Sequence, residues 1–143
     1  MIVATILKNK GRAVATVRAD VKLIDVVTRL SDKKIGAIVV VDEDGSVAGI
    51  VSERDVIRIL AAEGAKALEK PASAVMIDQI VTCCEEDTID ELMLRMTTRR
   101  FRHLPVIADG ELAGIVSIGD VVKLHIAAVE MEASALRSYI ATG

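Results

Sequence analysis

The strongest constraint on the fold is an internal repeat. The segment AGIVSERD at residues 48–55 returns as AGIVSIGD at residues 113–120, with the glycine, the apolar triplet, the serine and the aspartate in the same places. The preceding stretches, residues 23–45 and 89–110, also align, with one residue lost in a turn. Recurrence of this kind indicates one supersecondary unit encoded twice. The chain is therefore expected to contain two copies of one small unit.

Each copy carries the pattern of a strand, a helix, two strands and a second helix. In the first copy an apolar stripe of helical period runs through residues 23–30. The runs IGAIVVV and VAGIVS flank the turn residues DEDGS and predict a hairpin, and a helix follows from Ser52 to Gly64. In the second copy, Thr88 and Glu91 predict a capping box before the corresponding helix.

The repeats also predict the domain organisation. With 52% apolar and 27% charged residues, the 143-residue chain has an ordinary globular composition and can bury a substantial core. The predicted parts are an N-terminal lead at residues 1–12, a first domain at 13–64, a linker at 65–74, a second domain at 75–126 and a helical tail at 127–143.

Charge and hydropathy narrow the range of partners. A net charge of −3 gives no general attraction to nucleic acid or to anionic membranes. No segment reaches the length of a membrane-spanning helix, and MIVATILKNKG lacks the features of a signal peptide. We expect a cytoplasmic protein that has neither nucleic acid nor membrane as a partner.

The two cysteines are adjacent in the sequence. Cys83 and Cys84 lack the spacing of a zinc site, and neighbouring cysteines rarely form a disulfide, so a reduced pair in or beside a strand is expected. His103 and His125 are distant from them in sequence. The sequence predicts no metal site.

The serine and aspartate of each repeat have two interpretations. Ser52 with Asp55, and Ser117 with Asp120, have the spacing of capping boxes at helix starts. A strand that runs into a helix N-terminus also presents backbone N–H groups and a positive dipole end to an anion or to sugar hydroxyls. Both interpretations remain open from the spacing alone.

Each repeat also has a glycine within the strand that leads to this serine. Gly49 and Gly114 would let a ligand or another chain segment approach the strand closely, or they would mark a bulge. The sequence does not decide between these alternatives.

A basic cluster, RRFRH, distinguishes the second repeat. Arg99 and Arg100 end a predicted helix, where the dipole favours cations, so a solvated helix end explains them. Arg102 and His103 instead open a strand whose remaining residues are apolar. Arginine can hold phosphate through two parallel hydrogen bonds, and histidine adds a pH-sensitive donor. These two residues are therefore candidates for anion binding.

The segments IGAIVVVDEDGSVAGIVSERD and RHLPVIADGELAGIVSIGD, which both close on G-I-V-S-x-x-D, resemble the CBS domain, the βαββα module named after cystathionine β-synthase. The resemblance covers nearly the whole chain. It implies an α+β fold in which two CBS repeats pack as a pseudo-two-fold pair. The lack of an attached enzyme domain is similar to the stand-alone CBS-pair proteins of bacteria and plant organelles.

The resemblance implies that an adenosine nucleotide binds in the cleft between the repeats and that CBS pairs form a flat homodimer. AMP, ATP or NAD(H) would be regulatory ligands, with no catalytic cofactor. The implied site residues of the second repeat are Ile80, Thr82, Arg102, His103, Leu104, Pro105, Ser117 and Asp120. Those of the first repeat are Val14, Thr16, Ile35, Gly36, Ala37, Ser52, Arg54 and Asp55.

The two implied sites are unequal. Gly36 and Ala37 stand in the first repeat where the second has Arg102 and His103, and Arg54 is the remaining source of positive charge there. We expect the second site to favour a monophosphate such as AMP. The first site is expected to take another adenosine ligand, such as NAD(H), or to stay empty.

Three classes of function remain for a chain with these motifs. A ligand-sensing regulatory module, acting on itself or on a partner such as an enzyme or a transporter, explains the repeated motif and the asymmetric basic cluster. A ligand-independent scaffold is the alternative, with the motifs acting only as helix caps. An enzyme is not expected, because the sequence has no Walker loop, no metal-ligand cluster and no evident nucleophile–base pair.

The mechanism expected of a sensor is a population shift. A nucleotide that contacts both repeats would favour one arrangement of the pair. The C-terminal helix, with Ile126, Val129 and Leu136, would pack on a partner subunit and report the change.

Overall fold

The computed structural model describes residues 1–142 and has the mixed α+β character predicted from the sequence. A 3₁₀ helix, Gly64–Glu69, connects the two repeats together with a short α-helix. The other elements, in chain order, are α1 (Val3–Lys10), β1 (Thr16–Arg18), α2 (Leu23–Lys33), β2 (Ala37–Val41), β3 (Val47–Ser52), α3 (Glu53–Glu63), α4 (Ala72–Val75), α5 (Ile89–Arg99), β4 (His103–Ala108), β5 (Glu111–Ser117) and α6 (Ile118–Thr142).

The chain divides into two compact units. The first-repeat unit contains Ala13–Ile80 together with Gly110–Leu112. The second-repeat unit contains Met1–Arg12, Val81–Asp109 and the chain from Ala113 through α6. Each unit has its own cluster of buried apolar side chains.

The first-repeat unit has the predicted order of strand, helix, strand, strand and helix. Strand β1 runs parallel to β2, and β2 is antiparallel to β3, so the sheet order is β1-β2-β3. Helix α2 buries Leu23, Val26 and Leu30, which all belong to the apolar stripe predicted at residues 23–30. Helix α3 ends before Gly64, whose φ of 75° lies in the region that favours glycine.

The second-repeat unit departs from this order at its first strand. The expected strand is reduced to one parallel bridge between Cys83 and Val106, in which the Cys83 N–H donates to the Pro105 carbonyl at 3.0 Å. The chain turns immediately afterwards, because the Asp87 carboxylate accepts from the Cys84 N–H at 2.9 Å and the Asp87 N–H donates to the Cys84 carbonyl at 3.1 Å. This turn stops the strand after a single residue.

The segment before each repeat packs in the unit of the other repeat. In α1, Val3 N–H donates to Asp87 O and Ala4 N–H donates to Glu85 O, both at 2.9 Å. In α4, Ala72 N–H donates to Val21 O at 2.7 Å. The corresponding Ser73 N–H donates to Ala19 O at 3.0 Å. The N-terminal lead and the linker therefore have equivalent packing roles, which the repeat alignment did not predict.

The packing of each leading segment in the unit of the other repeat explains the two strand glycines, Gly49 and Gly114. A Cβ atom at Gly49 would lie 2.7 Å from the Ile77 carbonyl oxygen and 2.7 Å from Met76 Sδ. A Cβ atom at Gly114 would lie 2.7 Å from Leu7 Cδ2. At both glycines the structure shows close approach by another segment of the chain. At Gly49 it also shows an irregularity, because the pairs Val40–Gly49 and Val41–Val47 leave Ala48 as an extra residue in β3.

Candidate functional site

In both repeats the start of a strand lies against the first turn of the following helix. The Glu53 N–H at the start of α3 donates to Gly36 O at 2.9 Å. The Ile118 N–H at the start of α6 donates to Arg102 O at 2.8 Å. Gly36 and Arg102, which immediately precede β2 and β4, are thereby held beside the helix starts that follow Ser52 and Ser117.

In the first repeat, Ser52 and Asp55 form a closed capping box. Asp55 Oδ2 accepts from both the N–H and the hydroxyl of Ser52 at 2.8 Å, and the Asp55 N–H donates to Ser52 Oγ at 3.3 Å. Arg58 Nη1 lies 3.4 Å from the other carboxylate oxygen. Only 6% of the Asp55 side chain is exposed, so this carboxylate is largely occupied within its own helix start.

In the second repeat the same pair is more open and has a lysine beside it. Asp120 Oδ2 accepts from Ser117 N–H at 2.9 Å, and the Asp120 N–H donates to Ser117 Oγ at 3.2 Å. Lys10 Nζ, from α1, donates to Asp120 Oδ2 at 2.8 Å and to Ile115 O at 3.0 Å. The exposed fraction of the Asp120 side chain is 24%, against 6% for Asp55.

The pKa of Asp120 reflects these contacts. Burial raises the pKa, but the hydrogen bond and charge of Lys10, together with the Ser117 N–H, outweigh burial and hold the pKa of Asp120 below its usual value. The carboxylate is therefore ionised at neutral pH.

The capping bonds limit one argument made from the sequence. Each helix start was expected to offer free N–H groups to an anion. Instead, the first helical N–H in each repeat donates to the carbonyl of the residue before the strand, and the third donates to the serine hydroxyl, as shown by Ile118 and Asp120 in the second repeat. Side-chain cations must therefore carry most of any recognition of phosphate at these sites.

The structure places the remaining predicted residues in different environments. In the second repeat, Arg102 is exposed, His103 is half-buried as the first residue of β4, and Leu104 and Pro105 are buried. The Leu104 side chain lies in the hydrophobic core, so it is placed for packing. Thr82 is exposed, and Ile80 is half-buried and falls in the first-repeat unit.

The residues predicted for the first site are likewise mixed in burial. The exposed members are Thr16 and Arg54. The half-buried or buried members are Val14, Ile35, Gly36, Ala37, Ser52 and Asp55.

A groove beside Asp120 in the second-repeat unit was not predicted. Its volume is about 370 Å³, which is within the range of small-molecule sites. Asp120 is the one predicted residue among those that line it, and Lys10 and Lys123 add two cations. The complete lining is Ile6, Asn9, Lys10, Asp120, Lys123, Leu124 and Ala127.

The lysines were missed for different reasons. Lys123 lies three residues after the end of the S-x-x-D motif, at a helix position i+3 from Asp120, so the local helical spacing could have indicated it. Lys10 lies at the other end of the sequence, and no spacing or motif pairs it with Asp120.

The cysteines lie beside strand β4, as predicted. Burial, with the charge of Asp87, raises the pKa of the Cys83 thiol to about 12. A hydrogen bond to Asp87 is the largest cause that raises the pKa of Cys84. Within residues 1–142 no group of three or more His, Cys, Asp and Glu side chains could hold a metal ion.

The length and hydropathy of the helices bear on membrane insertion. Among the residues that the structure describes, no helix combines the length and the apolar character needed to cross a bilayer.

The fold and the paired serine–aspartate motifs define a tandem CBS-domain protein. The CBS domain family matches this chain twice, at residues 11–62 and 72–126, and the chain belongs to that family. It is a CBS pair, which is a regulatory class of module.

The relatives agree with this assignment. The chain is 31% identical to the mitochondrial CBS domain-containing protein CBSX3 of Arabidopsis thaliana, over 99% of this chain and 72% of that protein. The crystal structure of a CBS-domain containing protein from Agrobacterium tumefaciens is 48% identical and superposes with a TM-score of 0.83, over 85% of this chain and 91% of that one. Both relatives are named for CBS domains and not for a catalytic activity.

A more distant structure shows the same fold with ligands bound. The CBS domain pair of protein MJ0100, in complex with 5′-methylthioadenosine and S-adenosyl-L-methionine, is 23% identical to this chain. The TM-score is 0.78, over 87% of this chain and 95% of that one.

Proposed function

We propose that this protein is a non-enzymatic sensor of adenosine nucleotides, and that AMP binds in the second-repeat unit at Asp120. The observation that carries the proposal is the accessible, ionised Asp120 carboxylate at the edge of a groove that also contains Lys10 and Lys123. The adenosine compounds bound by the MJ0100 pair support the choice of an adenosine ligand.

Asp120 is suited to the ribose. A carboxylate oxygen accepts hydrogen bonds from sugar hydroxyls, and 24% of the Asp120 side chain is exposed to receive them. Oδ2 is already held by Lys10 and by the Ser117 N–H, so the carboxylate is fixed in orientation before a ligand arrives. Such preorganisation reduces the entropy cost of binding.

The neighbouring cations are suited to the phosphate. Lys10 and Lys123 line the groove, and Arg102 is exposed at the start of β4, whose backbone is bonded to the first turn of α6. A cation provides charge-assisted hydrogen bonds to phosphate oxygens. Because the helix N–H groups are largely occupied, these side chains supply the charge that a phosphorylated ligand needs.

The contact between Lys10 and Asp120 suggests how binding is reported. Lys10 is the last residue of α1. A ribose hydroxyl at the carboxylate and a phosphate beside Lys10 would both compete for this ion pair. Ligand occupancy would therefore change the stability of α1 on the second repeat, which is a population shift driven by differential contacts.

The first-repeat site is proposed to bind adenosine ligands more weakly. The Asp55 side chain is 6% exposed, against 24% for Asp120, and Arg58 Nη1 lies 3.4 Å from Asp55 Oδ1. Ile35, Gly36 and Ala37 provide no charge. We expect NAD(H) or ATP to bind there with lower affinity than AMP binds at the second site, or no ligand to bind.

The principal test is calorimetric titration of nucleotide-free protein with AMP, ATP and NADH. AMP should bind the unmodified protein, Asp120→Asn should weaken that binding at least tenfold, and the matched control Asp55→Asn should bind with unchanged affinity once its folding has been verified by circular dichroism. A charge-assisted hydrogen bond of about 1.5–3 kcal/mol supports this magnitude.

Two ligand analogues assign the parts of the site. 2′-Deoxy-AMP should bind the unmodified protein about tenfold more weakly than AMP, whereas Asp120→Asn should no longer distinguish the two. Adenosine should lose most of the affinity contributed by the phosphate, and Lys123→Ala should reduce AMP binding but not adenosine binding.

A scaffold is the second candidate function, and the complete capping boxes favour it. If folded protein binds none of these ligands, the serine–aspartate pairs act only as helix caps and the scaffold is the better account. If AMP binds and Asp120→Asn and Asp55→Asn affect it equally, the assignment to the second repeat is wrong.

A further inference from the structure

The C-terminal part of helix α6 extends away from the core that its first turns help to form. Val121 and Leu124 are buried in the second-repeat unit. From Val129 to the end of the helix, the described residues are exposed except for Ala133, which is half-buried. The helix nevertheless carries large apolar side chains there, and the exposed fraction reaches 60% at Leu136 and 68% at Ile140.

These apolar side chains form one continuous seam. Their spacing alternates between four and three residues, which is the a and d pattern of a coiled coil. The seam differs from the face that packs on the unit, because Val121 and Leu124 fall outside it. We call it the tail seam, and it consists of Val122, Ile126, Val129, Ala133, Leu136 and Ile140.

A second copy of the same helix would complete this seam. In this register the a positions are Ile126, Ala133 and Ile140 and the d positions are Val122, Val129 and Leu136. Isoleucine at a beside leucine at d, as at Ile140 and Leu136, is the combination that favours two-stranded parallel coiled coils. The seam contains fewer than the three to four heptads expected of an independent coiled coil. It therefore depends on the folded unit, where Val121 and Leu124 hold the start of the helix in place.

The flanking charges select a parallel orientation. In a parallel pair, Glu132 at a g position faces Arg137 at the e position of the partner helix, so unlike charges meet on both sides of the seam. In the antiparallel pair that matches the apolar layers, Glu132 faces its own copy, Glu130 faces its own copy, and Lys123 faces Arg137. All three antiparallel contacts bring like charges together.

We propose that the tail seams of two copies of this chain pair as a parallel two-stranded coiled coil. The interface is separate from the nucleotide site and from contacts between the CBS domains. Its formation does not require a ligand, so nucleotide-free protein is the material for the test.

Disulfide trapping tests both the contact and its orientation. Ile140→Cys and Ser138→Cys are compared in a Cys84→Ser background under mild oxidation, because Cys83 is buried and its raised pKa keeps it un-ionised. In a parallel pair Ile140 of one helix faces Ile140 of the other. In the antiparallel pair Ile140 lies opposite Val122, so the two Ile140 residues are about 27 Å apart along the helix axis. Ser138 lies at an outward-facing f position and is the matched control.

The expected result is rapid formation of a disulfide dimer by Ile140→Cys and little by Ser138→Cys. Equal rates for the two variants would overturn the proposal, since they would reflect random collision. A monomer in sedimentation velocity at concentrations up to the millimolar range would also overturn it. A dimer that Leu136→Asp leaves unchanged would show that another surface forms the interface.

Charge reversal provides an independent test of orientation. In a parallel pair, Arg137→Glu should weaken the dimer about fivefold because it faces Glu132, and Glu132→Arg combined with Arg137→Glu should restore it. In the antiparallel pair, Arg137→Glu would face Lys123 and would strengthen the dimer. Strengthening by this single substitution therefore contradicts the parallel arrangement.

Discussion

Replacement of Gly49 by alanine tests the exchange of segments between the repeats. The new methyl group would lie 2.7 Å from the Ile77 carbonyl oxygen and 2.7 Å from Met76 Sδ. The methionine side chain can rotate away, but the carbonyl is held by backbone hydrogen bonds. Ile50 N–H donates to Ile77 O at 3.0 Å, and Ile77 N–H donates to Ile50 O at 2.9 Å. Relief of the clash must therefore displace a bonded segment.

The expected loss of stability follows from three contributions. Overpacking in a well-packed site costs about 1–3 kcal/mol. Weakening of the two backbone bonds adds up to about 1 kcal/mol each. The smaller entropy of the unfolded alanine chain offsets about 0.4–1 kcal/mol. We expect Gly49→Ala to lower the free energy of unfolding by about 2–3 kcal/mol, and the melting temperature by roughly 6–12 °C in a chain of this length.

Two other glycines provide matched comparisons. At Gly114 the added methyl group meets only the Leu7 side chain, 2.7 Å from Cδ2, so a rotation within the core should limit the loss to about 1–2 kcal/mol. At Gly119, in the first turn of α6, the nearest atom is Ser117 Oγ at 3.6 Å, and the substitution should stabilise the helix by up to about 1 kcal/mol.

Urea denaturation and calorimetry of the three variants give the ranking directly. The reasoning is refuted if Gly49→Ala is as stable as the unmodified protein, or if Gly119→Ala loses as much stability as Gly49→Ala. The first result would mean that the segment after α4 does not pack against β3 as described. The second would mean that an added methyl group is harmful irrespective of its surroundings.

Three further predictions concern local electrostatics, thiol reactivity and capping. Lys10 lowers the pKa of Asp120, so the ion pair stabilises the fold above the unfolded pKa of about 3.9, and this stabilisation is lost as the pH falls through the folded pKa. Lys10→Met should therefore lower the free energy of unfolding in urea at pH 7, and its difference from the unmodified protein should be smaller at pH 3. With a thiol pKa of about 12, Cys83 should resist iodoacetamide at pH 8 until the protein unfolds, and rapid labelling of the native protein, detected by mass spectrometry, would contradict its burial. Ser52→Ala should cost about 1 kcal/mol of stability in chemical denaturation, and no loss would show that the hydroxyl does not cap α3.

Features set by neighbouring residues were predictable from the sequence. The capping boxes that begin at Ser52 and Thr88 are present, as predicted. Each forms between two residues three positions apart, so it depends little on the surrounding structure. The α2 stripe and the end of α3 at Gly64 follow from helical period and from backbone conformation in the same way. These local rules were sufficient to give the order of elements in the first repeat.

Features set by distant residues were not predictable from the same rules. The packing of α1 in the second-repeat unit depends on bonds such as that from Val3 N–H to Asp87 O, and no periodicity of α1 specifies its partner. The loss of the strand at Cys83 depends on a competing turn, in which the Asp87 carboxylate captures the Cys84 N–H. The apolar pattern around Cys83 does not reveal that competition.

The difference between the two candidate sites has the same origin. Helix α1 continues to Lys10, which bonds Asp120, whereas the equivalent helix α4 ends at Val75, and the cation beside Asp55 is Arg58 of α3. The repeated motif therefore preserves the helix cap in both copies, while the cation beside the aspartate comes from α1 in the second repeat and from α3 itself in the first. Asymmetry between the sites lies as much in these exchanged segments as in the motifs themselves.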